Sequence, residues 1–329
     1  MATLYIDQTN MEIKSDGAAL KLYHQGACQR SLPIKLMERL VIQGDVTLNA
    51  RTLTAIMENG ASVVFLSKRS SRRVATVLGG YHRDARIRLA QYDLLNNKHH
   101  VISHATALIK AKIRGQIRFL TLMLGRRPAL RKPLHNALTI MYARLDSLGA
   151  TSTLQGIRGV EGAASAAFFK AYIRLFPQSL GFHGRNRRPP KDPVNATLSL
   201  TYTLLHHEAV IACHGAGLDP YVGYLHQPSH GRESLACDLL EPLRPLAEAW
   251  VLSQFQERVV RPDHFNKDKG ACLMSKSGRA RFYPAYERFA HGQRRRLRRI
   301  TQLLVRGIRH STRGGFQSHE RDQNTLSQW

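Results

Sequence analysis

The pattern of apolar and polar residues changes character near position 80. Before it, short runs dominate. Residues 3–7 and 11–14 have strand composition, Ser15-Asp16-Gly17 is a turn signal, and residues 18–24 alternate weakly. An apolar strand candidate covers 39–43, Gly44-Asp45 turns the chain, and 52–58 has helical spacing closed by Asn59-Gly60. Residues 61–66, A-S-V-V-F-L, read as a buried strand. After Gly79-Gly80 the apolar positions step by three and four through 82–97, 101–125 and 128–148, as at Ile109, Ile113, Ile117, Leu120 and Met123, with arginines and lysines filling much of the opposite faces. The same spacing predicts helices over 162–177, 194–213 and 235–256, a hairpin within 269–283 and a last helix over 284–306. The fold class is therefore α+β: a β-rich N-terminal domain over 1–80, a mostly α-helical domain over 81–311 and a disordered tail over 312–329, which has no apolar period.

Composition adds a partner. With 49 Lys plus Arg against 23 Asp plus Glu, the formal charge is +26. A compact chain with that excess repels itself unless a polyanion offsets it, so nucleic acid is the first suspect and an anionic membrane surface the second. Lys68 to Arg73 is a basic stretch suited either to meeting phosphate or to being a solvated turn. No apolar run approaches the roughly 20 residues that span a bilayer, and the N-terminus has no signal-peptide pattern, which predicts a cytoplasmic protein without membrane attachment. The four cysteines, Cys28, Cys213, Cys237 and Cys272, form no C-x-x-C pair and read as ordinary thiols of a reducing compartment.

Candidate chemistry starts at Glu161. It stands between Gly159 and Gly162, before turns carrying alanines, a serine and phenylalanines. A carboxylate buried there needs a cation, a hydrogen-bond network or a proton. A metal ion that meets a phosphate is one candidate. A second acidic cluster lies in 225–245, where Asp238 and Glu241 are three apart and, on a helix, share a face, with Ser234 as N-cap. His226 ends an apolar run before a loop that contains His230, which among the remaining histidines is the candidate to line the site. One histidine with two or three carboxylates is an oxygen-rich set that suits Mg2+ or Mn2+ better than structural zinc. Plainer readings stand beside this one. Acids in a helix's first turns complement its dipole without catalytic duty, and a lone histidine at the end of an apolar run is also what a hydrogen-bonded core histidine looks like.

These same words make the family visible. The chain resembles the CRISPR-associated spacer-integration endonucleases, the Cas1 family, through G-I-R-G-V-E-G-A-A-S-A-A-F-F at 156–169, N-R-R-P-P-K-D-P-V-N-A at 186–196, G-L-D-P-Y-V-G-Y-L-H at 217–226 and S-L-A-C-D-L-L-E-P-L-R-P at 234–245, together with V-I-Q-G-D-V-T-L-N at 41–49. The likeness covers about residues 1–305. It implies an N-terminal β-sandwich-like domain followed by a larger helical domain. It also implies that Glu161, His226 and Asp238 are the catalytic metal ligands, with Glu241 lining the site and Asn195 orienting a ligand or phosphate from behind. Residues 181–193 depart from the family by being rich in arginine. The implied activity is metal-dependent insertion of short DNA fragments into a CRISPR array by attack of a 3′-hydroxyl on a repeat-boundary phosphodiester, with endonuclease cleavage when water attacks instead. The implied partners are double-stranded and branched DNA, a second copy of the chain in a homodimer, and a dimer of the small protein Cas2. Two other readings of the charge and the acids are a repair nuclease for branched DNA and a non-catalytic DNA-binding protein.

Overall fold

The computed structural model describes residues 2–67, 73–80, 82, 84–186 and 189–323. Most of the basic stretch at 68–73 and two arginines of the 181–193 loop, at 187 and 188, lie outside the described residues. The chain divides into two compact units, each assembled from several segments. One comprises Met1–Tyr81, Asn186–Leu204 and Ser253–Phe289; the other comprises His82–Arg185, Leu205–Leu252 and Ala290–Trp329. The chain first leaves the first unit after Tyr81 and returns to it twice.

The first unit contains two four-stranded sheets. In the first, β1 (Ala2–Ile6), β5 (Met37–Ile42) and β7 (Ser62–Leu66) run parallel and β8 (Arg73–Val77) closes antiparallel. In the second, β4 (Ala27–Pro33), β3 (Ala19–His24) and β2 (Met11–Asp16) are antiparallel neighbours, and β6 (Val46–Leu48) pairs parallel with β2. Strand alternation turns Met11, Ile13, Leu20 and Leu22 inward, where they meet Leu4, Ile6, Leu40, Ile42 and Val63 from the other sheet in one core. This is the sandwich-like arrangement the resemblance implies. The edge strand β4 is largely exposed and ends in Pro33, which cannot extend the ladder. Helix α1 (Ala50–Glu58) is capped by Asn49, whose side chain accepts from the Thr52 amide at 2.8 Å.

The second unit is helical. It holds α2 (Ala85–Asp93), α3 (Lys98–Arg126), α4 (Arg131–Ser147), α5 (Leu154–Tyr172), the later half of α6 (Pro193–Ala216), α7 (Ser234–Leu240), most of α8 (Arg244–Gln256) and the later part of α9 (Lys276–Gln323). Three boundaries differ from the sequence pattern. Helix α5 begins at Leu154 rather than 162, with the Thr153 hydroxyl accepting from the Gly156 amide at 3.1 Å. The cap starts the helix in spite of glycines at 156, 159 and 162, whose low helix propensity hides it from a sequence reading. The single helix expected over 235–256 is broken by Pro242 and Pro245 into α7, a tight 3-10 turn (Glu241–Leu243) and α8. The hairpin lies at β9 (Phe265–Asp268) and β10 (Ala271–Met274), so α9 starts at Lys276 and carries Pro284 inside it. The described backbone of α9 continues to Gln323, through the stretch expected to be a disordered tail. Among the described residues, no helix is long and apolar enough to cross a membrane.

Candidate active site

Helix α3 buries Val101, Ala105, Ile109, Ile113, Ile117, Leu120 and Met123 as one stripe, and two polar residues, Lys112 and Gln116, are buried within it. Both face acids. The Lys112 ammonium pairs with Glu161 in the middle of α5 and lies 2.7 Å from Glu241 Oε2 in the 3-10 turn after α7. Glu161 Oε1 also accepts from Ser165 Oγ, one turn further along α5, at 2.8 Å. Glu241 Oε1 accepts from Arg244 Nε at 2.8 Å. Gln116 Nε2 stands 3.5 Å from Glu248 Oε2 on α8. Lys112 and Glu241 are 6% and 5% exposed in their side chains, but Glu161 is 29% exposed, so the cluster opens on the Glu161 side. Burial alone would raise the Glu241 carboxyl; Arg244 and then Lys112 overcome it and hold it at about 2. Burial likewise disfavours the charged Lys112, and Glu241 and Glu161 more than offset this, leaving its pKa raised. Glu241 and Lys112 are therefore both charged at neutral pH.

This contact requires a close approach. A Cβ built on Gly115 would lie 2.9 Å from Cγ of Pro245 at the start of α8. The missing side chain lets the turn carrying Glu241 come near enough to α3 for Lys112 to reach it.

His226 belongs to a second group. It lies in the irregular segment between α6 and α7, not on a strand end. The Asp238 carboxylate, 1% exposed, accepts from the backbone amides of Tyr224 at 2.7 Å, Leu225 at 2.9 Å and His226 at 2.9 Å, and from His226 Nδ1 at 2.7 Å. With Nδ1 as the donor to a carboxylate, the other ring nitrogen, Nε2, presents its lone pair. Arg158 holds the loop from the α5 side, with Nε and Nη2 donating to the Leu225 carbonyl at 3.2 and 2.6 Å. Gln91 holds it from α2: its Nε2 donates to the carbonyls of Asp219 and Val222, and its Oε1 accepts from the Asp219 amide. Gly223 lets the loop lie against α7, since a Cβ there would be 2.6 Å from the Ser234 carbonyl carbon. Ser234 is not the N-cap; its hydroxyl donates to the Gln227 carbonyl at 3.1 Å. Below the loop, the stacked rings of His100 and His104 meet Tyr224, and burial followed by His100 pushes His104 down to about 4.

A family model described as CRISPR associated protein Cas1 matches residues 4–288. The chain belongs to the Cas1 family. A protein of Thermodesulfovibrio yellowstonii named CRISPR-associated endonuclease Cas1 1 is 37% identical over 312 residues, covering 94% of this chain and 97% of that protein. Among solved structures, a casposase bound to integration product superposes with a TM-score of 0.80 at 20% identity, covering 93% of this chain and 91% of that one. A chain of a Cas6-RT-Cas1–Cas2 complex superposes with a TM-score of 0.77 at 21% identity over 94% of this chain and 35% of that one. At these identities the structures establish the Cas1 fold.

Within this Cas1 fold, the residues singled out from sequence fall into separate places. Glu161 is brought together with Glu241 through Lys112, while Asp238 is brought to His226. The spacing proposed to put Asp238 and Glu241 on one helical face does not bring them to one partner: Asp238 takes the 224–226 amides and the His226 ring, and Glu241 takes Lys112 and Arg244. His230 is exposed on the loop after His226. Asn195 belongs to the other compact unit, where its amide bonds Asp192 Oδ2 at 2.6 Å and its side-chain oxygen accepts from the Asn186 amide. Among the described residues, no three His, Cys, Asp or Glu side chains stand close enough together, as placed, to hold a metal. The donor chemistry nevertheless fits a hard divalent cation: two carboxylates already share one positive charge, and a histidine is fixed by a carboxylate with Nε2 available.

Lys112, Arg158 and Arg244 were not identified from sequence. Lys112 had a signal, since it stands three positions after Ile109 on the apolar side of α3. Arg158 and Arg244 each lie three positions from a site acid, a spacing that flags a neighbour without saying what it holds.

Two outcomes follow. Gly115→Ala should destabilise the protein by about 1–2 kcal/mol in urea unfolding, because overpacking against the rigid Pro245 ring exceeds the gain in helix propensity. Arg158→Ala should speed amide hydrogen exchange at residues 223–227 while leaving α3 protection unchanged, since it removes charged hydrogen bonds each worth about 1.5–3 kcal/mol from that loop.

Proposed function

We propose that this protein is a metal-dependent nuclease and integrase that inserts short DNA fragments into a CRISPR array. The observation that carries the reading is the meeting of Glu161 and Glu241 on a single cation, in the same helical unit as a histidine oriented by Asp238. The names of the relatives, which specify endonucleases, and the fold shared with a casposase bound to integration product support it. The charge of +26 supplies the attraction for DNA.

Glu161, Glu241 and Nε2 of His226 would hold Mg2+ or Mn2+. This assignment replaces Asp238 by Glu241 among the ligands. Both oxygens of Asp238 are occupied by amides and by the His226 ring, which suits it to fixing the histidine's tautomer and angle. When bound, such an ion polarises a phosphate and stabilises charge on the attacking and leaving oxygens. The chain's own residues do the rest. Arg244 and Asp238 keep Glu241 and His226 in place, Arg158 and Gln91 hold the His226 loop, and the open side at Glu161 admits the backbone of DNA. In the joining reaction the 3′-hydroxyl of the fragment loses its proton and bonds to phosphorus, while the bond to the repeat's 3′-oxygen breaks and that oxygen takes a proton. With water as nucleophile the same site cleaves. The partners of this reading are double-stranded and branched DNA, a second copy of the chain and a Cas2 dimer, in the cytoplasm. The solved Cas6-RT-Cas1–Cas2 complex, which shares the fold, supports the Cas2 assignment.

The test is a joining assay on a supercoiled plasmid bearing a leader and repeat, with a DNA fragment ending in 3′-hydroxyls, Cas2 and Mn2+. Glu161→Gln and Glu241→Gln should keep DNA binding within about twofold in a gel-shift measurement and lower joining at least about a hundredfold. Asp238→Asn should lower it by about ten- to a hundredfold. Joined product from Glu161→Gln at the wild-type rate would remove the metal assignment. Cleavage of branched DNA without any joined product from the wild type would make the protein a repair nuclease, and neither activity would leave a DNA-binding protein.

A further inference from the structure

The two acids assigned to the ion are not waiting as a bare pair. Lys112, buried at 6% side-chain exposure, already bridges them, and Arg244 closes the far side of Glu241. The formal charges of the four groups cancel: two ammonium or guanidinium cations against two carboxylates. A divalent ion added to that arrangement would make it strongly positive, inside a region where water screens poorly. The ammonium and the ion therefore cannot both sit on the same oxygens. Of the two cations, Arg244 is the poorer one to move. Its planar head holds Glu241 from within the same turn, whereas Lys112 is a point charge on a flexible four-carbon stem. The exposure difference sets the side of exchange, since Glu161 is the accessible acid and Glu241 the enclosed one.

We propose that Lys112 is a resident counter-cation, which holds Glu161 and Glu241 together in the metal-free protein and withdraws from at least Glu161 when a divalent ion binds. Metal loading is then an exchange of an ammonium for an ion. This inference rests on the reading of Glu161 and Glu241 as ligands. It gives Lys112 two opposite effects. It stabilises the protein without metal, because the enclosed Glu241 and the neighbouring Glu161 would otherwise repel one another, and it weakens metal affinity, because the ion must displace it.

The experiment is Mn2+ binding to the full chain, read from the paramagnetic resonance of free Mn2+, with thermal unfolding in EDTA and in saturating Mn2+. The variants are Lys112→Met, Lys112→Gln, Lys112→Arg and Glu161→Gln. Glutamine keeps a neutral hydrogen-bonding end on a slightly shorter side chain and safeguards the test against misfolding of the methionine variant. The expected result is that Lys112→Met and Lys112→Gln bind Mn2+ at least about tenfold more tightly than wild type. They should melt lower in EDTA and recover with Mn2+, and Lys112→Arg should stay near wild-type affinity. Unchanged or weaker Mn2+ binding in the two neutral variants, with binding lost in Glu161→Gln, would overturn the role of Lys112 and leave the metal assignment standing. Wild-type Mn2+ binding that is indifferent to Glu161→Gln would overturn both.

Discussion

Two carboxylates from different segments of the chain share one buried ammonium, and the helical unit is arranged so that this can happen. Glu161 comes from α5, Glu241 from a proline-bounded turn, and Lys112 from the longest regular stretch of the helical core outside α9. Without a cation, the enclosed Glu241 would be raised by burial and pushed toward neutrality; with Arg244 and Lys112 it stays ionised. Such an ion pair is a poor source of net stability, because desolvating the charges offsets their attraction. A buried lysine in a mostly apolar helix stripe is therefore poorly explained by stability alone. The same arrangement explains Gly115, whose lack of a side chain sets how near the acidic turn comes to α3.

The histidine half of the site is built by different means. Asp238 is buried, and it collects three successive backbone amides of the 224–226 segment and the ring of His226. A carboxylate used in this way orders a loop that has no regular structure of its own. Arg158, one helical turn from Glu161, grips the carbonyl of Leu225 and so ties the histidine's loop to the helix of the first acid. The proposed joining chemistry would need its groups held to within fractions of an ångström. Around the residues proposed as ligands, that holding is done by backbone amides and guanidinium groups.

Much of this was legible in the chain beforehand. Five of the sandwich strands (β1, β2, β3, β5 and β7), the stripe on α3 and the reason to suspect Glu161 follow from apolar spacing and from one acid among small residues, whereas β4, largely exposed, and the short β6 and β8 carried no such pattern. Other features were hidden for physical reasons. The start of α5 rests on a single threonine cap that outweighs three glycines. The division of labour between Asp238 and Glu241 depends on partners distant in sequence, the 224–226 loop for one and Lys112 for the other. Lys112 and Arg158 act on partners far away in the sequence, and spacing carries no information about such contacts. The resemblance to the family named the acids but ranked Glu241 below Asp238, whereas the structure brings Glu241 to Glu161.

The most direct measurement is a crystal structure of the full chain grown without divalent metal and then soaked in Mn2+, with anomalous scattering used to place the ion. One strong anomalous peak bonded to Glu161, Glu241 and Nε2 of His226 is expected, with the Lys112 ammonium moved off Glu161 relative to the unsoaked crystal and Asp238 still bonded to the 224–226 amides. A peak on Asp238 that bypasses Glu241, or Lys112 still bridging both acids beside a bound ion, would contradict that expectation.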